Sequence, residues 1–248
     1  MDSNAAVVAL VAAAGAGSRL GGDVPKALLR VGGVPLVTHS VNRLAAGGAE
    51  RAVVIVADGL QPDFEVALAS APIPWRLVVG GSERQHSVRR GLAAIAEQGP
   101  VSIVVVHDAA RPLVPPAVVA DVIAAVRAGH TAVVPAVPVV DSIRSLHSHA
   151  PGPHAPDDAF VDSEVVDRSL LRAVQTPQGF AYSTLTTAHR HIAANGLMVT
   201  DDAACCEVLG ERIHLVAGSR LAMKVTEPTD VVVAEALWAA YAADLQHI

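Results

Sequence analysis

Three features of this 248-residue chain predict an α/β protein with a doubly wound, mostly parallel sheet and a protruding β-hairpin arm. Short Val/Ile-rich runs alternate with helix-like runs, the pattern of right-handed crossovers. The clearest apolar runs lack polar alternation, as strands covered on both faces do. Glycines and charged residues gather directly after these runs, where the carboxyl ends of parallel strands enclose a ligand crevice.

The strand-like runs are Val7–Val11, Ala52–Ala57, Arg76–Val79, Val101–Val106 and Ala132–Val137. Between them Leu36–Ala46, Asp63–Ala69, Val88–Glu97 and Ala117–Ala128 read as helices. The last follows Pro115-Pro116, a favourable helix start, and stops near Gly129. From Asp141 the pattern changes. Ser142–Leu146 and Phe160–Val166 read as extended segments of an arm at about 141–168. Its tip, His147–Asp158, is too rich in Pro and Gly for a regular strand. Such an arm cannot bury itself on its own body, so a partner subunit is its expected seat. Helices at Ser183–Ala194 and Asp201–Leu209, a strand at Ile213–Ala217 and a helix over Asp230–Leu245 complete the chain. No linker divides it, so a single domain over 1–248 is expected.

Hydrophobic residues make up 52% of the chain, enough for a substantial core. A net charge of −6 argues against a nucleic-acid or membrane-surface binder. The apolar start Ala5–Ala14 is too short to span a bilayer and follows Asp2 rather than a basic residue. The two cysteines, Cys205 and Cys206, are adjacent and read as small buried helix residues in a reducing compartment. A cytoplasmic protein is the expectation.

The chemistry concentrates in three loops. The first run opens into Ala12-Ala13-Ala14-Gly15-Ala16-Gly17-Ser18-Arg19, followed by Pro25-Lys26. Small residues let backbone N–H groups approach phosphate oxygens, while Arg19 and Lys26 supply fixed positive charge. Neither standard phosphate motif fits: Leu20 stands where a third Rossmann glycine belongs, and Ser18-Arg19 replaces the Walker Lys-Ser/Thr. After the third run come Gly80-Gly81-Ser82-Glu83-Arg84 and Ser87; after the fourth, His107-Asp108-Ala109-Ala110-Arg111-Pro112. A carboxylate at Asp108 can hold Mg²⁺ together with substrate phosphates, or cap a turn. His107 reads as packed and hydrogen-bonded. Taken singly, Arg168, Thr176, Thr200 and Lys224 read as structural.

Taken in order, these motifs resemble those of the 2-C-methyl-D-erythritol 4-phosphate cytidylyltransferases of isoprenoid precursor synthesis. The resemblance continues through Asp141-Ser142, Val166-Asp167-Arg168, Gln175-Thr176-Pro177-Gln178, Thr200-Asp201-Asp202 and Lys224-Val225-Thr226. It implies a Rossmann-like nucleotidyltransferase fold and transfer of CMP from CTP to the sugar phosphate, releasing pyrophosphate. It implies nucleotide contacts from Ala13, Ala14, Gly15, Ala16, Gly17, Gly81, Ser82, Ser87 and Ala109, and Mg²⁺ at Asp108. Arg19, Lys26, Arg168 and Lys224 become the catalytic cations. Arg111, Asp141, Ser142, Arg168, Thr176, Thr200 and Lys224 become the groups that hold methylerythritol phosphate. A homodimer with exchanged arms follows from the same resemblance, with Ser142, Arg168 and Thr200 serving the neighbouring subunit's site. Ala12 departs from a usual Pro, Ser82 from a usual acid and Ser142 from a usual Thr.

Three other readings make different predictions. A ribitol-5-phosphate cytidylyltransferase shares the chemistry, but tends towards Ala-Gly-Gly and Ser-Val-Arg where this chain has Ala-Ala-Gly and Ala-Ala-Arg. A nicotinamide-dependent oxidoreductase needs the missing third glycine and a ribose-binding acid. A nucleotide sensor would bind CTP without turnover.

Overall fold

The computed structural model describes residues 5–15, 24–146 and 163–246. The chain runs β1 (Ala6–Ala12), β2 (Arg30–Val31), β3 (Val34–Pro35), α1 (Leu36–Ala46), β4 (Arg51–Val56), α2 (Gln61–Leu68) and β5 (Trp75–Val79). It continues through α3 (Arg84–Ala96), β6 (Val101–Asp108), α4 (Pro116–Arg127), β7 (Ala132–Pro138), β8 (Ile143–Leu146) and β9 (Ser163–Val166). The last part is β10 (Arg172–Val174), β11 (Gln178–Ala181), α5 (Tyr182–Ala194), α6 (Asp202–Glu207), β12 (Ile213–Ala217) and α7 (Pro228–Gln246). Every strand and helix expected from the sequence is present, most within two residues of the anticipated ends.

Strands β6, β1, β4 and β5 lie side by side and parallel. Their order places a switch point between β1 and β6, because the chain leaves β1 in one direction and later returns on its other side. Along β1, Val7, Ala9 and Val11 face one layer, where α1, α2 and α4 bring Val41, Phe64 and Val119. Val8 and Leu10 face the other layer, where α3, α5 and α6 bring Ile95, Leu185 and Cys206. Both faces are apolar, which is why the run shows no polar alternation. Gly129, at φ +107°, ends α4 in a conformation that side-chain-bearing residues avoid.

The second half adds antiparallel strands to the mostly parallel sheet. β11 pairs antiparallel with β6 and with β7, filling the seam between them, while β12 runs parallel to β7. β10 pairs antiparallel with the far end of β7, and the cis Thr176–Pro177 bond separates it from β11. β8 and β9 pair antiparallel as a separate two-stranded sheet, with Ile143 opposite Val166. The expected tip, His147–Asp158, lies outside the described residues, as do residues 160–162 of the returning segment. Cys205 and Cys206 are free and buried, and burial pushes both thiols up to about 12. Among the described residues no helix is long and apolar enough to cross a membrane.

Candidate active site

At the switch point, a cavity of about 480 Å³ opens beyond the carboxyl ends of β1 and β6. Ala12–Gly15 form one wall, Gly81–Arg84 and Ser87 another, and Asp108–Ala110 a third; Lys26 and Lys224 also line it. Backbone bonds hold these walls in register. Ala13 N–H donates to Ile55 O at 2.9 Å, Gly80 N–H to Val56 O at 2.8 Å, and Ala109 N–H to Ala12 O at 3.1 Å. Gly80 lets the walls approach closely: a Cβ there would meet Ser87 Oγ at 2.9 Å and Ala14 Cβ at 3.1 Å. Ser87 orders the second wall from α3. Its hydroxyl donates to Glu83 O at 2.9 Å and accepts from Gly81 N–H at 3.0 Å.

The charges within the cavity are arranged around Asp108. Lys224 Nζ lies 2.8 Å from its Oδ2. Burial works to raise the pKa of this carboxyl, but Lys224, with Arg84 and His107, outweighs it and holds Asp108 below the usual carboxylate range. Asp108 is therefore an ionised hard oxygen donor facing the cavity, a donor type suited to Mg²⁺ alongside phosphate oxygens. Its backbone is equally fixed: Asp108 N–H donates to Thr176 Oγ1 at 3.0 Å. His107, fully buried, has its pKa pushed down by burial to about 4 and is neutral at pH 7. Nε2 faces Arg111 O at 3.3 Å and must carry the proton, because a carbonyl only accepts. Nδ1 is then an acceptor for the Thr176 hydroxyl at 3.1 Å. The chain His107–Thr176–Asp108 leaves no donor or acceptor idle.

The cavity brings together Ala13, Ala14, Gly15, Lys26, Gly81, Ser82, Ser87, Asp108, Ala109 and Lys224 of the residues expected from sequence. Ala16, Gly17 and Arg19 lie outside the described residues. Two of the expected substrate residues stand just behind the cavity walls. Thr176 is buried, with its hydroxyl bonded to His107 and Asp108. Arg111 donates from Nη1 to Ala222 O at 2.7 Å, bracing the turn (Arg220–Ala222) that precedes Lys224, and its Nε lies 4.0 Å from Asp108 Oδ2. Asp141, Ser142, Arg168 and Thr200 are exposed and away from the cavity walls. Arg168 donates to Val140 O across the base of the β8–β9 pair. Arg84 is a cavity residue to which sequence reasoning assigned no role. The signal was its position in the Gly80–Ser87 loop, at the first turn of α3.

A doubly wound sheet, with a cation-rich, carboxylate-bearing cavity at its switch point, defines a nucleotidyltransferase-type α/β protein. The family model for 2-C-methyl-D-erythritol 4-phosphate cytidylyltransferase matches residues 7–239. The enzyme of that name from Nocardia farcinica is 44% identical, with 95% of each chain covered. Its Streptomyces coelicolor counterpart is 45% identical, over 96% of this chain and 86% of the relative. The crystal structure of the Thermus thermophilus enzyme superposes with a TM-score of 0.73 at 35% identity, covering 94% of this chain and 98% of that one. The chain belongs to the 2-C-methyl-D-erythritol 4-phosphate cytidylyltransferase family.

Proposed function

We propose that this protein transfers the cytidylyl group of CTP to 2-C-methyl-D-erythritol 4-phosphate, giving 4-diphosphocytidyl-2-C-methyl-D-erythritol and pyrophosphate for isoprenoid synthesis. The observation that carries this reading is the convergence of Lys26, Lys224 and Asp108 on one glycine-walled cavity, in a chain matched to the family from residue 7 to residue 239. The acceptor is a phosphate monoester, already ionised, so the reaction needs no general base. Its barrier is the approach of two polyanions, which positioned cations lower by neutralising charge as it builds on the α-phosphate.

The Ala13-Ala14-Gly15 and Gly81-Ser82 backbones, with Ser87 and Ala109 beside them, are assigned to cytidine, and Ala16 and Gly17 are assigned to the same nucleotide by their place in the sequence. Lys26 and Arg19 stabilise the five-coordinate α-phosphorus. Asp108 would hold Mg²⁺, which would supply positive charge against the triphosphate. Lys224, 2.8 Å from Asp108, is assigned with Arg168 to aim the acceptor phosphate.

Ser142, Arg168 and Thr200 are assigned to the sugar phosphate in the partner subunit's site of a homodimer with exchanged arms, and Asp141 is assigned to the same ligand. The apolar residues around the arm support this assembly: Val165 is 69% exposed, Leu170 82% and Val174 50%. Large apolar side chains left this bare on one segment are the mark of a contact surface. The body is taken as one nucleotidyltransferase domain, working in the cytoplasm, with neither nucleic acid nor membrane as partner.

Pyrophosphate release is measured with CTP against methylerythritol phosphate and ribitol 5-phosphate in turn. Turnover with the first supports the assignment, and a strong preference for ribitol 5-phosphate refutes it.

A further inference from the structure

Behind the second cavity wall lies a buried charge network that the reaction outlined above does not use. Asp202, at the start of α6, is fully buried. Its Oδ2 lies 2.6 Å from Arg84 Nη1, and its Oδ1 accepts from His189 Nε2 at 2.9 Å. A carboxylate only accepts, so His189 carries its proton on Nε2. The residues on either side of Asp202 are held as well. Gln178, on β11, donates to Asp201 Oδ2 at 2.8 Å and accepts from Ala203 N–H at 3.2 Å, clamping both sides of Asp202. Asp201 itself caps α6, accepting from Ala204 N–H at 2.9 Å.

His189, Asp202 and Cys205 have ligand atoms within 4.8 Å of one another, a spacing that suits a metal ion. The surroundings favour another occupant. Burial holds the Cys205 thiol protonated, with its pKa pushed up to about 12, and a thiol must ionise to ligate. The Arg84 guanidinium already supplies the cation that Asp202 needs.

Burying a carboxylate is costly unless it is paired, and breaking such a pair strands a charge. The pair here joins a fully buried acid to an arginine that emerges into the cavity: the Arg84 side chain is 35% exposed and lines the wall beside Ser87 and Asp108. One nitrogen of a guanidinium with five donors is tied to Asp202, and the side chain that carries the others lines the cavity. It sits at the first residue of the 13-residue helix α3, whose N-terminal N–H groups favour the same sign of ligand.

We infer that Arg84 is a phosphate-holding group of this cavity and that Asp202, seated by His189, is its positioning residue. The inference rests on the cytidylyltransferase reading for the identity of the ligand. Its chemistry, a phosphoryl oxygen held by a pre-aligned guanidinium, is common to the triphosphate of CTP and to the acceptor phosphate.

The test is calorimetric titration of the full-length protein with CTP, with inorganic pyrophosphate and with methylerythritol phosphate, alongside steady-state kinetics. Removing one charge-assisted bond predicts that Arg84→Ala weakens binding of the phosphate it holds about 10- to 100-fold. Loss on CTP and pyrophosphate places Arg84 on the donor side, and loss on methylerythritol phosphate alone places it on the acceptor side. Unchanged binding of all three, in a wild-type protein that turns over, overturns the inference and leaves the cytidylyltransferase reading intact. Asp202→Asn should weaken the same ligand, and the Arg84→Ala/Asp202→Asn double variant should bind no worse than Arg84→Ala. Multiplying effects would show that Asp202 acts on something other than Arg84. Should Asp202→Asn fail to fold, the same cycle is run with His189→Asn, whose shorter amide falls short of Asp202.

Discussion

Replacing Thr176 with Val removes one hydroxyl from the floor of the site and keeps the shape of the side chain. That hydroxyl serves two buried groups: it accepts from Asp108 N–H at 3.0 Å and donates to His107 Nδ1 at 3.1 Å. Valine leaves both without a partner where water has no room, because His107 is fully buried and Thr176 is only 6% exposed. A stranded buried donor or acceptor costs about 1–3 kcal/mol. Two of them, offset slightly by the added methyl, amount to roughly 2–5 kcal/mol. For a protein of this length that corresponds to a fall in Tm of roughly 4–20 °C. Thr176→Ser keeps the hydroxyl and loses a methyl, so its expected cost is about 0.5–1.5 kcal/mol. Thermal unfolding of the three proteins followed by circular dichroism is the assay. A Val variant melting within about 2 °C of wild type, or a Ser variant as damaged as the Val one, would refute the account of Thr176 as the link between His107 and Asp108.

Lys26→Ala should lower kcat about 10²- to 10³-fold, the usual loss for a transition-state donor, and near wild-type turnover in the pyrophosphate-release assay would remove it from the mechanism. Arg168→Ala should raise KM for methylerythritol phosphate while calorimetry finds CTP binding almost intact; loss of CTP binding would mean the two half-sites are misassigned. The folded-state pKa of His107 is about 4, against 6.5 ordinarily, so its neutral form is favoured by folding. Above pH 6.5 this costs nothing, and as pH falls from 6.5 towards 4 the unfolded chain takes up the proton first. Stability drops by roughly 3 kcal/mol over that window. Urea unfolding at pH 7 and pH 4.5 should show a smaller acid-induced loss in His107→Asn than in wild type; an equal loss would place the acid sensitivity elsewhere.

Most of the first half of the fold is legible in the chain because parallel strands buried on both faces leave long Val/Ile runs. β1, β4 and β6 are such runs, whereas β12 is a half-exposed edge strand marked only by its Ile, Leu and Val residues. β10 and β11 are different. Arg172-Ala173-Val174 is too short for a pattern, and Gln178-Gly179-Phe180-Ala181 mixes a polar residue, a glycine and an aromatic. β11 extends because two neighbours pair with it, and its glycine lets α4 approach, where Val122 and Val126 lie against it. The site divides in the same way. Gly80-Gly81, Lys26 and Asp108 are marked by position after strands. Thr176 and Arg111 are polar residues beside the site that brace its framework through Asp108 and Ala222, and only partners and distances reveal that. Arg84 is the converse, a surface-like charge at a helix start made significant by Asp202, which is far away in sequence.

The insertion of β11 between β6 and β7 has a bearing on synthesis. The ribosome delivers β1, β4, β5 and β6 early, yet one edge of β6 has no hydrogen-bonding neighbour until Ala181 has emerged. A nascent chain stalled or cleaved in the arm therefore presents an open apolar strand edge, the kind of surface on which chains stick to one another. Truncation before β11 should produce an insoluble product rather than a working half.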